Sequence, residues 1–413
     1  MTGRKRIITL SIVFMTGLLG LFGCGSPSSA YKDTQAETTK EESTLVYESS
    51  LELSYAKNFS VDYYEGGYKI LTTMDGTKIL TVPEDKETPK GIDEDTIVLK
   101  EPVGNLYLVS SAVMDMFDKI DAIDTIKFSG QKEEGWYIDG AKEAMEAGDL
   151  VYAGKYSKPD YELLVSGNCS LAIENKMITH SPEVLEMLES FDIPAVIEYS
   201  SYESEPLGRM EWVKFFGALT DREEEAEKVF DEQKKIVDSI VEADSVQTGN
   251  TENDNTQLDN TESDNSQRID EEHNTVAFFY ITSNGLAQVR KSTDYVPKMI
   301  SLAGGRYIFD DLTDDTPGRS TMNMQLEDFY NGAIDADYLI YNSAIDGGVK
   351  DLAELIDKCP VLADFKAVKN GNVWCTTNDM YQQSMSIGYM IDDMHSMLVG
   401  ADESEMKYLF KLK

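Results

Sequence analysis

Short apolar runs alternate with longer amphipathic segments from about residue 97 to the end of the chain. In the first half, strands are predicted at residues 105–109, 122–128, 171–173 and 195–197, with a helix at 181–190. In the second half, strands are predicted at residues 276–281, 338–341 and 373–374, and helices at 295–303, 326–330, 349–358 and 387–398. Alternation of this kind predicts α/β units with largely parallel sheets.

Residues 59–82 follow a different pattern. They contain three runs with a period of two, separated by turns at Gly66, Gly67 and Gly76. Two hairpin turns in succession predict a small antiparallel β meander.

A long amphipathic stretch separates the two α/β units. Residues 207–244 have apolar positions at helical spacing, such as Phe230 and Val237, and predict a single linker helix. Residues 245–274 contain a near-duplicate rich in Asn and Asp, which predicts a disordered insert and lacks the ligand spacing of a calcium loop. The expected architecture is therefore an α/β N-terminal lobe at 51–206, one long helix, the insert and an α/β C-terminal lobe at 275–413.

The first 24 residues have the features of an exported bacterial lipoprotein. Three basic residues at 4–6 precede an uncharged apolar run, and Cys24 follows a small residue where a signal peptidase would cut. We expect residues 1–23 to be removed, Cys24 to carry lipid, and residues 24–50 to form a flexible tether. The alternative is a retained anchor helix with an incidental cysteine. Either interpretation predicts a protein on the outer face of the cell membrane.

Composition narrows the chemistry. The 413 residues carry a formal charge of −38, which becomes −41 without residues 1–23 and their three basic side chains. So acidic a chain lacks the cationic surface that nucleic acid requires. Beyond the signal, Cys169, Cys359 and Cys375 are too few and odd in number for a disulfide scaffold, and the chain has only three histidines. We therefore expect no cofactor and no site for a bare transition metal, so that any metal would arrive already chelated.

Four segments, in this order along the chain, carry a resemblance to a known family. They are residues 152–162 (YAGKYSKPDYE, followed by the strand at 170–173), 205–214 (EPLGRMEWVK), 303–309 (AGGRYIF) and 367–374 (AVKNGNVW). Over about residues 50–413 the chain resembles the helical-backbone class of ABC-importer substrate-binding proteins, which includes receptors for siderophores, haem and cobalamin. The resemblance implies a class III periplasmic-binding-protein-like fold.

The resemblance also implies partners. In this family the permease is bound by one surface carboxylate from each lobe, and the matching positions here are Glu162 and Glu327. The alternative is that both are ordinary first-turn glutamates that interact with the helix dipole. Glu203 and Glu211 are rival candidates in the first lobe. We expect a lipid-anchored monomer that docks on an ABC permease with its ATPase.

Ligand binding is expected between the lobes, at loops that follow the carboxyl ends of strands. Aromatic side chains there could stack on a bulky chelate, and arginines could bind its oxygens. The candidates in the first lobe are Ser110, Ser111, Trp136, Tyr137, Tyr156, Met177, His180, Tyr202 and Arg209, and those in the second are Tyr280, Arg290, Arg319, Asn378, Met380 and Tyr381. For each aromatic, core packing is the alternative. His180 could be an axial metal ligand or simply a polar residue before a helix.

The expected function is capture of a chelated metal or metallated macrocycle, of iron–siderophore, haem or cobalamin type, for delivery to the permease. No nucleophile elbow, phosphate-binding glycine loop or paired metal-binding histidines stand in the sequence, so we do not expect an enzyme. A surface adhesin or structural lipoprotein and an extracytoplasmic hydrolase are the alternatives.

Overall fold

The computed structural model describes residues 44–249, 273–313 and 319–413. The predicted signal peptide, the lipidation site Cys24, and most of the predicted tether and insert lie outside these residues. Within the described ranges, no helix has the length and apolar character needed to cross a membrane.

The N-terminal strands form a five-stranded sheet, the meander sheet, which is larger than predicted. Its strands are β1 (Tyr47–Ser50), β2 (Phe59–Tyr64), β3 (Tyr68–Thr73), β4 (Lys78–Val82) and β5 (Ile97–Lys100). They lie in that order and are antiparallel, except that β5 runs parallel to β4. The two predicted hairpins are present, and their turn glycines Gly66, Gly67 and Gly76 adopt φ angles of 89°, 85° and 89°, which other residues disfavour.

Strand β1 lies inside the segment that we predicted as a tether, residues 24–50. All four of its side chains are exposed, so no apolar period marks it in the sequence. Its backbone pairs with β2, and this pairing orders the chain from Tyr47 onward.

The first lobe is built on a parallel sheet. Its strands are β6 (Leu106–Leu108), β7 (Ile126–Ser129), β8 (Val151–Tyr152), β11 (Leu171–Asn175) and β12 (Ala195–Glu198), with a small hairpin of β9 (Gly154–Lys155) and β10 (Lys158–Pro159). The sheet order is β12-β11-β6-β7-β8. The helices are α1 (Ser111–Lys119), α2 (Asp139–Ala147), α3 (Tyr161–Ser166) and α4 (Pro182–Ser190). The predicted strand at 122–128 begins later, because a short 3₁₀ turn occupies Ile123–Thr125.

The predicted linker helix, residues 207–244, is divided in the structure. Helices α5 (Pro206–Glu211) and α6 (Val213–Thr220) precede the long helix α7 (Glu223–Gly249), which extends into the predicted insert. The break before α7 is at Asp221, whose φ is 57°. Buried Lys69 of the meander sheet forms ion pairs with Asp221 and with Glu223, the latter at 3.1 Å, and thereby stabilises this break.

The second lobe has a mixed sheet. Its strands are β13 (Thr275–Ile281), β14 (Ala287–Arg290), β15 (Arg306–Tyr307), β16 (Thr321–Met324), β17 (Tyr338–Tyr341), β18 (Val373–Thr376) and β19 (Leu409–Lys411). The order is β16-β14-β13-β17-β18-β19, with β15 paired to β13. The helices are α8 (Tyr295–Leu302), α9 (Leu326–Ala333), α10 (Leu352–Lys358), α11 (Lys366–Lys369) and α12 (Ile387–Val399). Helix α10 begins later than predicted because the Asp351 side chain caps it by accepting from the Glu354 N–H at 2.8 Å.

The two lobes repeat one arrangement of parallel strands. In the first lobe β6 pairs in parallel with β7 and β11, and β11 pairs with β12. In the second lobe β13 pairs in parallel with β15 and β17, and β17 pairs with β18. Helices α3 and α9 therefore occupy equivalent places, each leading into the second of these central strands. Helix α7 packs against α6 and against α12 of the second lobe, and it is the single long helix that joins the lobes.

Two buried glutamates attach the meander sheet to the linker helices. The Glu211 carboxylate accepts from the N–H groups of Ser54, Tyr55 and Ala56 at 2.8–2.9 Å. Glu203 Oε1 accepts from the N–H groups of residues 57 and 58 at 2.9 and 2.8 Å and from the Trp212 indole at 3.1 Å. Residues 54–58, the anchoring segment, thus donate five consecutive backbone hydrogen bonds to two carboxylates. Gly208 lets the segment approach, because a Cβ there would lie 3.1 Å from the Tyr55 carbonyl oxygen.

Aromatic side chains fill the junction between the meander sheet, the first lobe and the linker helices. The Trp212 ring lies 4.8 Å from Phe59 and 5.2 Å from Phe215, and Phe216 lies 5.1 Å from Phe117 of α1. Burial of large rings at such distances stabilises the junction strongly. The meander sheet is therefore an integral part of the first lobe and shares its hydrophobic core.

A buried carboxyl group on β11 makes the stability of the first lobe depend on pH. Glu174 is fully buried, and neither of its carboxylate oxygens has a hydrogen-bond partner among the described residues. Burial raises the pKa of Glu174 to about 8. The folded protein therefore binds more protons than the unfolded chain between the ordinary pKa of 4.5 and about 8, so this group makes the fold less stable as the pH rises through that window.

We expect the substitution Glu174→Met to raise the free energy of unfolding at pH 9 by on the order of 2–4 kcal/mol, because it removes a buried charge at similar volume. At pH 5 the variant and the wild type should differ by much less. Urea unfolding followed by circular dichroism at the two pH values measures this. The exposed Glu186 of α4 supplies the matched control, Glu186→Met. An equal effect of Glu174→Met at pH 5 and pH 9 would contradict the assignment.

Candidate ligand-binding cleft

A cavity of about 360 Å³ lies between the two lobes. Its first-lobe wall comes from the loops after β6, β11 and β12, which are neighbours in the sheet. Its second-lobe wall comes from the start of α8 and from the chain after β18. Loops at the carboxyl ends of parallel strands are the usual place for a ligand in such sheets. The lining residues are Ser110, Ser111, Ala112, Met116, Asn175, Lys176, Met177, Glu198, Ser200, Ser201, Tyr202, Arg209, Tyr295, Met380, Tyr381, Ser384 and Ile387.

One carboxylate lines the cavity, and its acceptor positions are in use. Glu198, at the end of β12, accepts from the Ser110 hydroxyl at 2.8 Å through Oε1. Its Oε2 accepts from the Ser200 N–H at 2.8 Å and from the Ser200 hydroxyl. Because Glu198 is buried and hydrogen-bonded within the first lobe, it holds the two loops together and offers little to a ligand.

Two cations line the cavity as well. The guanidinium of Arg209 stacks on the Tyr295 ring, with Cζ 3.7 Å from the ring centroid, and its Nε donates to the Glu203 carbonyl at 3.1 Å. The Nζ of Lys176 lies 4.4 Å from the centroid of the Tyr202 ring. Aromatic faces fix these cations without neutralising them. The cleft is therefore a cationic region in a strongly acidic protein.

A buried polar cluster supports Tyr381 on the second-lobe wall. The Tyr381 hydroxyl accepts from Asn342 Nδ2 at 2.7 Å and from a guanidinium nitrogen of Arg290. Burial raises the pKa of Tyr381, so the phenol is neutral at ordinary pH. A hydroxyl that accepts twice keeps its own proton as a donor. The second lobe therefore contributes an aromatic face and a cation close behind it.

Direct contacts hold the lobes together beside the cavity. Gln382 of the second lobe accepts from the Tyr137 N–H at 2.9 Å and donates to the Gly135 carbonyl at 2.8 Å. The Ser384 hydroxyl donates to the Ala112 carbonyl at 2.6 Å. Asp115 of α1 is fully buried and accepts from the Met385 N–H at 2.7 Å, and burial raises its pKa to about 6. The two lobes are therefore in direct contact on this side of the cavity.

About half of the ligand-binding residues predicted from the sequence line this cavity. They are Ser110, Ser111, Met177, Tyr202, Arg209, Met380 and Tyr381. Arg319 lines a neighbouring cavity of about 340 Å³ that also contacts Tyr202 and Arg209. Their role in binding remains a prediction.

The structure does not bring the other predicted residues into the cleft. Trp136 is buried and its indole lies 3.3 Å from the Ser129 hydroxyl, while the Tyr137 backbone contacts Gln382. Tyr156 and Tyr280 pack against the hydrophobic core. Arg290 lies behind Tyr381. His180 and Asn378 are exposed outside the lining of the cavity.

Several lining residues are not among those predicted from the sequence, above all Lys176, Glu198 and Tyr295. Lys176 follows directly on β11, and Glu198 is the last residue of β12. Both residues lie at the carboxyl end of a strand, which is the criterion by which their neighbours were predicted to bind the ligand. Tyr295 is the first residue of α8, and the start of a helix that follows a strand also lies at this edge of the sheet.

Glu162 and Glu327 are exposed and equivalent in position. Each stands in the first turn of its helix, α3 or α9, and each helix leads into the second central strand of its lobe. The rivals Glu203 and Glu211 are buried and hydrogen-bonded to the anchoring segment. Their carboxylates are therefore withdrawn from the surface.

Among the described residues, no group of three or more His, Cys, Asp or Glu side chains could hold a metal ion. Cys169, Cys359 and Cys375 are free thiols, and all three are buried. The oxygen and nitrogen groups of the cleft are hydroxyls, an amide, cations and one engaged carboxylate, which suit the outer oxygens of a ligand better than a bare metal.

Comparison with known proteins gives relatives and structural neighbours. No protein-family model matches the chain. An uncharacterized lipoprotein of Methanocaldococcus jannaschii is 24% identical over 422 residues, which cover 99% of this chain and 100% of that protein. A periplasmic binding protein of Veillonella parvula has a TM-score of 0.53 and 17% identity, covering 76% of this chain and 97% of that one. A periplasmic haem-binding protein of Vibrio cholerae has a TM-score of 0.50 and 15% identity, covering 69% and 96%.

These solved structures share two α/β lobes with this chain. Because their sequence identities to it are low, the likeness concerns the fold alone. The predicted fold class is confirmed. The chain has a class III periplasmic-binding-protein-like fold, with two α/β lobes joined by one long helix and a β meander at its N-terminus.

Proposed function

We propose that this protein is the substrate-binding lipoprotein of an ABC importer and that it captures a chelated metal or metallated macrocycle between its lobes. The ligand would be of the iron–siderophore, haem or cobalamin type, and the haem-binding neighbour supports this class. The lipoprotein relative and the periplasmic neighbours support an extracytoplasmic location, with Cys24 as the lipid anchor. The protein would bind its ligand as a monomer without chemical change.

The cationic cleft is the observation that carries this proposal. Aromatic rings hold Arg209 and Lys176 in place, whereas the Glu198 carboxylate already accepts hydrogen bonds within the first lobe. A site with such donors and cations favours a ligand that presents oxygen acceptors and negative charge. A cavity between two repeated lobes also favours a binding protein over the adhesin and hydrolase alternatives.

Delivery to the permease would use Glu162 and Glu327. Their equivalent, exposed positions on α3 and α9 give two anions, one per lobe, at a separation fixed by the fold. Two such charges can orient the receptor on a partner that carries arginines at a matching separation. The permease and its ATPase are the proposed partners.

A thermal-shift screen against haem, cobalamin, ferric hydroxamates and ferric catecholates tests the function. At about a hundredfold excess over Kd, a true ligand should raise Tm by roughly 2–5 °C, because it binds the folded state alone. We expect Arg209→Ala to weaken binding of an anionic chelate by roughly ten- to a hundredfold, measured by isothermal titration calorimetry. Arg306→Ala, which removes the same side chain from β15 away from the cleft, is the control. Stabilisation by none of these chelates would overturn the proposed ligand class.

A further inference from the structure

The cavity that contains Arg319 lies directly beside the cleft cavity. Their volumes are about 340 and 360 Å³. Ser201, Tyr202, Arg209 and Tyr295 line the two cavities in common. The stacked pair of Arg209 and Tyr295 therefore forms the wall between two chambers of one interlobe space.

The second chamber has its own chemistry. Its remaining lining residues are Glu203, Ser204, Thr293, Asp294, Arg319 and Ser320. Three hydroxyl groups and the exposed Arg319 can donate hydrogen bonds to a ligand. Within the described part of the chain, no hydrogen bond or ion pair holds Arg319.

The two carboxylates of the second chamber are already engaged. Glu203 Oε1 accepts from two backbone N–H groups and from the Trp212 indole. Asp294 Oδ1 accepts from the Val296 N–H at 3.0 Å, and its Oδ2 lies 3.7 Å from a guanidinium nitrogen of Arg290. Because the protein's own donors already engage these two carboxylates, the arginines are the charged groups of the chamber that can still bind a ligand.

Arg209 can serve both chambers at once. Its guanidinium group donates hydrogen bonds to the carbonyl oxygens of Ser201 and Glu203. The Tyr295 ring covers one face of the same group. A planar cation fixed in this way keeps its position when a ligand enters, so little side-chain entropy is lost on binding.

We propose that the second chamber is a second subsite for the same ligand and that it binds a pendant carboxylate of the chelate through Arg319 and Arg209. This inference rests on the proposed function. The first chamber holds the body of the chelate, and the Arg209–Tyr295 wall separates the body from its acidic arm. The proposal therefore limits the ligand to chelates that have carboxylate groups which do not coordinate the metal.

Two iron complexes serve as probes in isothermal titration calorimetry. Ferric citrate retains carboxylates that are not bound to iron, whereas tris(acetohydroxamato)iron(III) is uncharged and has no acidic arm. Arg319→Ala should raise the Kd for ferric citrate about tenfold and leave the Kd for the uncharged complex, where it is measurable, unchanged. Arg319→Lys, which retains the charge, should recover part of the affinity. Because Arg319 is exposed, none of these changes should unfold the protein.

The control Arg306→Ala removes an arginine of the second lobe that pairs with Asp310 outside both chambers. It should leave both affinities at the wild-type level. If Arg319→Ala leaves the Kd for ferric citrate unchanged while Arg209→Ala raises it, the second subsite is refuted and the proposed function stands. Equal weakening of both complexes by Arg319→Ala also refutes the subsite. Failure of the wild type to bind either complex or any chelate of the screen removes the proposed function and this inference with it.

Discussion

Reversal of both Glu162 and Glu327 to lysine is expected to reduce uptake of the ligand to background while its binding in the cleft is unchanged. Both side chains are exposed first-turn residues on equivalent helices, and neither lines the two interlobe cavities. A lysine at each position would face the proposed arginines of the permease, and juxtaposed like charges cost several kcal/mol per contact. Each single reversal should give an intermediate defect, since the two contacts are separate.

Transport assays with radiolabelled chelate in cells, together with calorimetry on the purified variants, measure the two halves of this prediction. The control reverses two other exposed glutamates, Glu143 of α2 and Glu405 near the C-terminus, to lysine. The control changes the net charge equally and should transport normally. Normal transport by the Glu162 and Glu327 double variant would remove these residues from the docking surface.

Glu211→Ala is expected to lower the free energy of unfolding by about 3–5 kcal/mol. The change leaves three backbone N–H groups of the anchoring segment without an acceptor inside the protein, and each unsatisfied buried donor costs about 1–3 kcal/mol. It also leaves the buried Lys214 with only Glu227, at 2.9 Å, as an ion-pair partner. Glu211→Gln keeps the volume and one strong acceptor, so it should be less harmful.

Urea unfolding followed by circular dichroism measures the loss, and limited proteolysis within residues 54–58 reports whether the meander sheet detaches first. Glu232→Ala on the exposed surface of α7 is the matched control and should change stability by less than about 0.5 kcal/mol. A loss below about 1 kcal/mol for Glu211→Ala would mean that water replaces the carboxylate at this junction.

The sequence predicted those elements whose signal is local. Hairpin turns at Gly67 and Gly76 identified β2, β3 and β4, and buried apolar runs identified the central strands of both lobes. Strand β1 could not be predicted, because its side chains are exposed and it is held by backbone pairing with β2. The helix break at Asp221 could not be predicted, because Lys69 of the meander sheet, 152 residues earlier in the sequence, stabilises it.

The cleft was predictable to the extent that it follows from strand order. Ser110, Met177 and Tyr202 follow three adjacent parallel strands, and their position at the carboxyl ends of these strands predicted them. Lys176 and Glu198 look like ordinary solvated charges in the sequence, and only the rings and hydroxyls around them reveal their place in the cavity. The stacking of Arg209 on Tyr295 joins linker helix α5 to the second lobe, and no local sequence pattern predicts it.

The anchoring segment has a consequence for how the chain is made. A ribosome releases residues 54–58 well before the glutamates that accept their hydrogen bonds, which lie 145 to 157 positions later. During that interval these five peptide groups lack their carboxylate acceptors, and Phe59 lacks the Trp212 ring against which it packs. Contacts of such long sequence separation form late and slowly. The N-terminal sheet can therefore be attached to the first lobe only after α5 is available.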